Sequence, residues 1–330
     1  MKKINVGVIV HIGMLLAIVT IIGLSAYKLY HWNHKANHTE PIVDTGEFDT
    51  EPEDYFVTRD VSTLEGYVDD EELNIVFLGD GLFGDYQDET GIPEQVAKLT
   101  GANVYNCGFS NSTMSTKEME YDSTYGNDAL SFYFVALSIA NNEGFDLLRN
   151  GTRNAEWGTE DYFMDTIDMM DEIDFSKVDI IVINYGVEDY LQDREIESEH
   201  DTLFDPRIFT DALHQGMRWL HAAYPNIQFI VMSPTFCFYE DEDGEHHAGD
   251  VYKNKQKGTV ASYMIAEKTA TVLENSTFLD NYWGVDINAD NAKEYFTESY
   301  KFPNETGRKL IAEKLADTIQ NRIYYKGSTQ

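Results

Sequence analysis

Five short apolar runs punctuate the chain beyond residue 72 and predict strands: Asn74–Gly79, Asn103–Cys107, Asp179–Tyr185, Gln228–Ser233 and Thr277–Asp280. Most are continuous, as in Ile180-Ile181-Val182-Ile183, the pattern of parallel strands buried on both faces. Between them apolar residues recur at helical spacing. The Pro206–Tyr224 stretch carries Phe209, Leu213, Met217, Leu220 and Tyr224, and Pro303–Ile323 carries Leu310, Ile311, Leu315 and Ile319. Thr90–Leu99, with Pro93 in its first turn, and Lys255–Leu273 are read as two further helices. Strands alternating with helices predict an α/β fold, a doubly wound three-layer sandwich on a five-stranded parallel sheet in the order 2-1-3-4-5. In such a fold ligands meet the carboxyl ends of the strands. Here those ends are Gly79-Asp80-Gly81, Gly108-Phe109-Ser110-Asn111 and Gly186-Val187-Glu188-Asp189.

The first thirty residues follow another pattern. Lys2 and Lys3 precede an almost unbroken apolar run from Ile4 to Tyr27. At about 1.5 Å per residue it would extend roughly 36 Å as a helix, enough to span a bilayer core. The expectation is one N-terminal transmembrane helix, a signal-anchor over residues 1–30, with the body outside the cell. Residues 40–72 then hold thirteen acids and one arginine with little periodicity, so 31–72 is expected to be a stalk or linker that adds nothing to the core. The globular domain is placed at 73–330.

Composition narrows the functions. With 24 Lys+Arg against 58 Asp+Glu the formal charge is −34, which opposes binding to a phosphate backbone, so nucleic acid is excluded as a partner. Cys107 and Cys237 follow strands that the expected order keeps apart, so two free buried thiols are expected.

The strand ends resemble four sequence blocks of the SGNH/GDSL hydrolase superfamily, most nearly its membrane-anchored, secreted bacterial branch. Phe77-Leu78-Gly79-Asp80-Gly81-Leu82-Phe83-Gly84 matches the Gly-Asp-Ser turn, and Asn106-Cys107-Gly108-Phe109-Ser110-Asn111-Ser112 the glycine turn after strand two. Gly186-Val187-Glu188-Asp189 matches Gly-x-Asn-Asp. Ser299-Tyr300-Lys301-Phe302-Pro303-Asn304-Glu305-Thr306-Gly307 matches the Asp-x-x-His block that opens the last helix. The resemblance implies the flavodoxin-like SGNH hydrolase fold. It also implies which chemistry is missing: the nucleophilic serine falls on Gly81, the oxyanion asparagine on Glu188, and the Asp/His pair on Ser299 and Phe302. Asp80 is retained, as is Gly108, whose backbone N–H faces the oxyanion in the family. Glycine cannot attack a carbonyl, phenylalanine cannot carry a proton, and an ionised Glu188 would repel an oxyanion.

The resemblance thus describes a degraded member whose old cleft, lined by Asp80, Gly81, Gly108, Ser110, Asn111, Gly186, Glu188 and Phe302, binds a cell-envelope glycan or a protein partner without catalysis. The alternative is a rewired esterase or deacetylase acting on acylated envelope polysaccharide, with Ser110, Ser112 or Asp80 recruited; a purely structural role in an envelope complex is a third reading. Tyr185, Tyr190, Phe109, Phe236, Phe238 and Tyr239 follow strand ends and suit either a sugar-binding wall or the core. Asp80, Glu188 and Asp189 could together face a cation, but drift at position 188 accounts for them without one. The acidic His246-His247 loop reads as solvated, its adjacent histidines pointing apart. No cofactor and no metal are expected.

Overall fold

The computed structural model describes residues 52–60, 72–155, 161–197, 204–296 and 300–325. In chain order its strands are β1 (Arg59–Asp60), β2 (Asn74–Gly79), β3 (Asn103–Asn106), β4 (Ile180–Asn184), β5 (Gln228–Met232), β6 (Phe238–Glu240), β7 (His246–Ala248), β8 (Thr277–Leu279) and β9 (Tyr324–Tyr325). The α-helices are α1 (Gly81–Gly84), α2 (Ile92–Thr100), α3 (Phe132–Asn141), α4 (Asp146–Asn154), α5 (Tyr162–Glu172), α6 (Val187–Leu191), α7 (Phe209–Ala223), α8 (Val260–Leu273), α9 (Ala292–Tyr295) and α10 (Glu305–Thr318).

The main sheet has five parallel strands in the order β3-β2-β4-β5-β8, which is 2-1-3-4-5 along the chain. In its centre Ile75 lies opposite Ile180, and Ile180 opposite Gln228. Every residue of β2, β4, β5 and β8 is buried, so apolar side chains cover both faces. Helices α2 and α10 pack on each other, while α7 packs on α3 and on α8. At the α3–α7 crossing a side chain at Gly216 would meet the Phe132 ring at 2.3 Å, so glycine is what lets the two helices approach.

Part of the acidic stretch expected to be a free stalk lies along the body. Tyr55 and Phe278 exchange backbone hydrogen bonds of 2.9 and 2.8 Å, an antiparallel bridge on the edge strand β8. Arg59 donates from its guanidinium to the carbonyls of Pro225, Asn226 and Ile227, and β1 pairs with β9. Asp54 pairs with Lys314 at 3.0 Å. An exposed sheet edge presents unpaired N–H and C=O groups, and this strap covers one. The body therefore includes residues 52–60. Among the described residues no helix is long and apolar enough to cross a membrane; the Ile4–Tyr27 run lies outside them.

Candidate functional site

The chain leaves β2 at Asp80, which caps α1: its Oδ1 accepts the Leu82 N–H at 3.0 Å. The next residue is Gly81, and the space its side chain would occupy is taken. A Cβ there would lie 2.4 Å from Phe302 Cε2 and 2.9–3.0 Å from the Asp85 carboxylate oxygens. No side chain, serine included, fits without displacing that ring. Phe302 is itself 1% exposed, so it is a core residue here. Ser299, the fourth family position, lies outside the described residues.

The turn after β3 is equally committed. Gly108 donates its N–H to Asn106 Oδ1 at 3.1 Å, so the retained family donor is held by its own chain. Gly84 matters for the same turn, because a Cβ there would lie 2.6 Å from the Ser110 nitrogen and 2.9 Å from the Tyr162 hydroxyl. That close approach lets Ser110 donate its N–H to the Tyr162 hydroxyl at 2.9 Å, while Ser110 Oγ lies 3.0 Å from the same hydroxyl and donates to Asp85 Oδ1. Ser112 is tied down by donating to the Phe109 carbonyl at 2.8 Å. Asn111, in the left-handed region at φ 58°, turns its amide toward the last block.

Gly186, at φ 112°, ends β4 and starts α6 against the Pro234 ring. Glu188 on α6 is 2% exposed and forms an ion pair with Lys301. Its second oxygen accepts from Gln192 Nε2 at 3.3 Å, and Lys301 Nζ also donates to Asn111 Oδ1 at 2.9 Å. Burial alone would lower the Lys301 pKa. Glu188, with Asp85 and Asp80 behind it, outweighs burial and raises it, so the ammonium stays charged. The turn after β3, helix α6 and the segment before α10 are thereby tied together.

The three carboxylates that sequence would allow to face one cation are each engaged differently. Burial, then the Glu188 charge, pushes the Asp80 carboxyl well above its usual range, and among the described residues its Oδ2 has no hydrogen-bond partner. Asp189 accepts from the Met114 N–H (2.7 Å), the Ser115 N–H (3.2 Å) and Ser115 Oγ (2.9 Å), and burial pushes it up to about 6. Glu188 belongs to Lys301. Of the expected cleft, Asp80, Gly81, Gly108, Ser110, Gly186, Glu188 and Phe302 are all buried, and only Asn111 is partly exposed. Tyr185, Tyr190, Phe109, Phe236 and Tyr239 are core residues, with Phe109 edge-on to Phe163 at 5.3 Å; Phe238, partly buried, packs against them in the β6–β7 hairpin. Cys107 and Cys237 are free and buried, and burial raises both thiols.

What stays open lies one helical turn away. Gly84, Asp85, Gln87, Ser110 and Tyr162 line a cavity of about 310 Å³. Reading the blocks alone missed Asp85, Lys301 and Tyr162. For Lys301 a signal existed: a cation in the fourth block beside an unexpected anion in the third. A larger cavity, about 420 Å³, lies between residues 57–59 and α7, away from these strand ends.

No family model and no curated protein matches the chain. Solved structures do. A protein from Lactobacillus plantarum overlays with a TM-score of 0.54 at 17% identity, covering 77% of this chain and 99% of that one. A structure described as a lipolytic protein of the G-D-S-L family from Desulfitobacterium hafniense gives 0.42 at 14% identity (74% and 98% covered), and a carbohydrate acetylesterase from Sinorhizobium meliloti 0.44 at 11% (75% and 98%). At these identities what is shared is the fold. What this chain shares with the Lactobacillus plantarum protein is an α/β fold, here built on a five-stranded parallel sheet in the order 2-1-3-4-5.

Proposed function

We propose that this protein is a non-hydrolytic SGNH-like domain that binds a cell-envelope glycan or envelope protein, held at the membrane by its N-terminal apolar run with the body outside the cell. The observation that carries the reading is the filled space at Gly81, where the Phe302 ring and the Asp85 carboxylate leave no room for a nucleophile. The engaged Gly108 N–H and the buried Glu188–Lys301 pair support it, because an oxyanion would find no free donor at either place. Binding is assigned to the neighbouring cleft, where the exposed Asp85 carboxylate, the Gln87 amide and the Tyr162 ring offer polar and aromatic contacts.

One observation favours the alternative, a rewired ester hydrolase: Ser110 Oγ donates to Asp85 and lies beside the Tyr162 hydroxyl. In that reading Asp85 would take the serine proton as Oγ attacked an ester carbonyl, but a carboxylate is a weak base for this. A fluorophosphonate probe, which reacts with activated serines, separates the two. Non-hydrolytic function predicts no adduct by intact-mass analysis, and retention of envelope glycan or protein that Tyr162→Ala reduces. An adduct on Ser110 would establish the hydrolase.

A further inference from the structure

The β6–β7 hairpin places three metal-ligating groups together, outside the site described above. The register sets Tyr239 opposite His247 and Glu240 opposite His246. Side chains alternate along a strand, so the two histidines part company. The His246 ring rests on Tyr300 at 4.9 Å, while His247 turns toward the hairpin's acidic tip. There one ligand atom each from Asp241, Glu245 and His247 lies within 4.8 Å of the others.

We propose that Asp241, Glu245 and His247 form a binding site for a divalent transition-metal ion of the zinc type. The donor set selects the ion. One imidazole nitrogen with two carboxylates suits zinc-like ions, whereas calcium calls for six or more oxygens. The imidazole is oriented before any ion arrives. It stacks on Tyr252 at 4.6 Å with 16° between the planes, and Tyr252 stacks in turn on Tyr239 at 4.7 Å. Nε2 then lies 2.7 Å from Asp241 Oδ2. The other Asp241 oxygen is occupied by the turn itself, accepting the N–H groups of Asp243 and Glu245 at 2.9 Å each, which fixes the carboxylate. Among the described residues the Glu245 side chain has no hydrogen bond or ion pair of its own, and it is exposed, free to swing onto an ion. Glu240, Glu242 and Asp243 add negative potential around the tip, and no cation pairs with these three acids among the described residues. Three protein ligands on an accessible hairpin leave coordination positions open to water or to a donor from a partner.

The test is a ZnCl₂ titration of the untagged full-length chain, followed by imidazole NMR, with the His247 signals identified by their loss in His247→Ala. This readout isolates the hairpin from His31, His34 and His38, which could hold zinc independently. The expected result is a saturable shift of the His247 signals with one equivalent. Asp241→Asn should weaken it about tenfold or more while keeping the turn, because its amide oxygen can still accept both N–H groups. Tyr252→Leu should weaken it less. Absence of a saturable shift, or a titration unchanged in Asp241→Asn, would overturn the proposal.

Discussion

Lys301→Met leaves Glu188 as a buried carboxylate without its cation. In the wild-type protein Glu188 is 2% exposed, and the ammonium is its one ionic partner among the described residues. Breaking a buried ion pair from one side costs about 3–5 kcal/mol. The Lys301 side chain retains 25% exposure, so the lower end, about 3 kcal/mol, applies. For a body of this size, roughly 2 °C per kcal/mol gives a drop in Tm of about 6 °C. The effect depends on pH with a definite sign. Burial already pushes the Glu188 carboxyl up, and loss of Lys301 pushes it further. A carboxyl whose folded pKa exceeds its unfolded value is protonated in both states below the two values, and it costs stability as pH rises from the unfolded value through the folded one. Lys301→Met should therefore be strongly destabilised at pH 8 and much less so near pH 5. A second substitution, Glu188→Met, should restore most of the stability at pH 8, because two apolar side chains of similar volume need no pairing. Urea unfolding of all three proteins, read by tryptophan fluorescence, measures this. Equal losses at both pH values, or no rescue by the double variant, would refute the claim that Glu188 and Lys301 form a buried ionised pair.

Other consequences follow from the same packing. Phe302→Ala should cost about 3–5 kcal/mol by leaving a cavity beside Gly81, and should yield no ester hydrolysis, since space alone supplies neither nucleophile nor base; thermal unfolding and an esterase assay check both parts. Arg59→Ala removes three hydrogen bonds from the strap and should lower stability by about 2 kcal/mol, with faster hydrogen exchange at the Tyr55 and Phe278 amides; exchange no faster than wild type would mean the strap does not depend on that arginine. Asp189 titrates at about 6 in the folded protein, above the ordinary aspartate value, so its contribution to stability is lost as pH climbs from about 4 to about 6. In Asp189→Asn the wild-type-minus-variant stability difference should change across that window and be flat above it, as followed by urea midpoints against pH.

The sheet was legible because burial on both faces writes itself into sequence as continuous apolar runs; all five predicted strands lie within a residue of those observed. The three strand ends were legible because tight turns demand particular residues, such as Gly186 at φ 112°. The strap was not. Residues 52–60 hold to the body through backbone bonds and ion pairs, which need no apolar periodicity, and their acids read as solvated although Asp54 meets Lys314. The side chains around Gly81 and Glu188 were not legible. Asp85 reaches Gly81 because α1 turns it back, a local contact that the blocks do not mark, and Lys301 reaches Glu188 because the last block folds over α6, which depends on tertiary packing. The strand-end aromatics had two readings in sequence, and burial settled five of the six as core.

The central claim of the proposed function is that these strand ends hold no acyl-transfer site. Turnover of a chromogenic acetate ester by the purified full-length chain tests it most directly, with Ser110→Ala measured in parallel at matched concentration. The predicted result is hydrolysis at the buffer rate by both proteins. Enzyme-dependent turnover by the wild-type chain, abolished in Ser110→Ala, would contradict it.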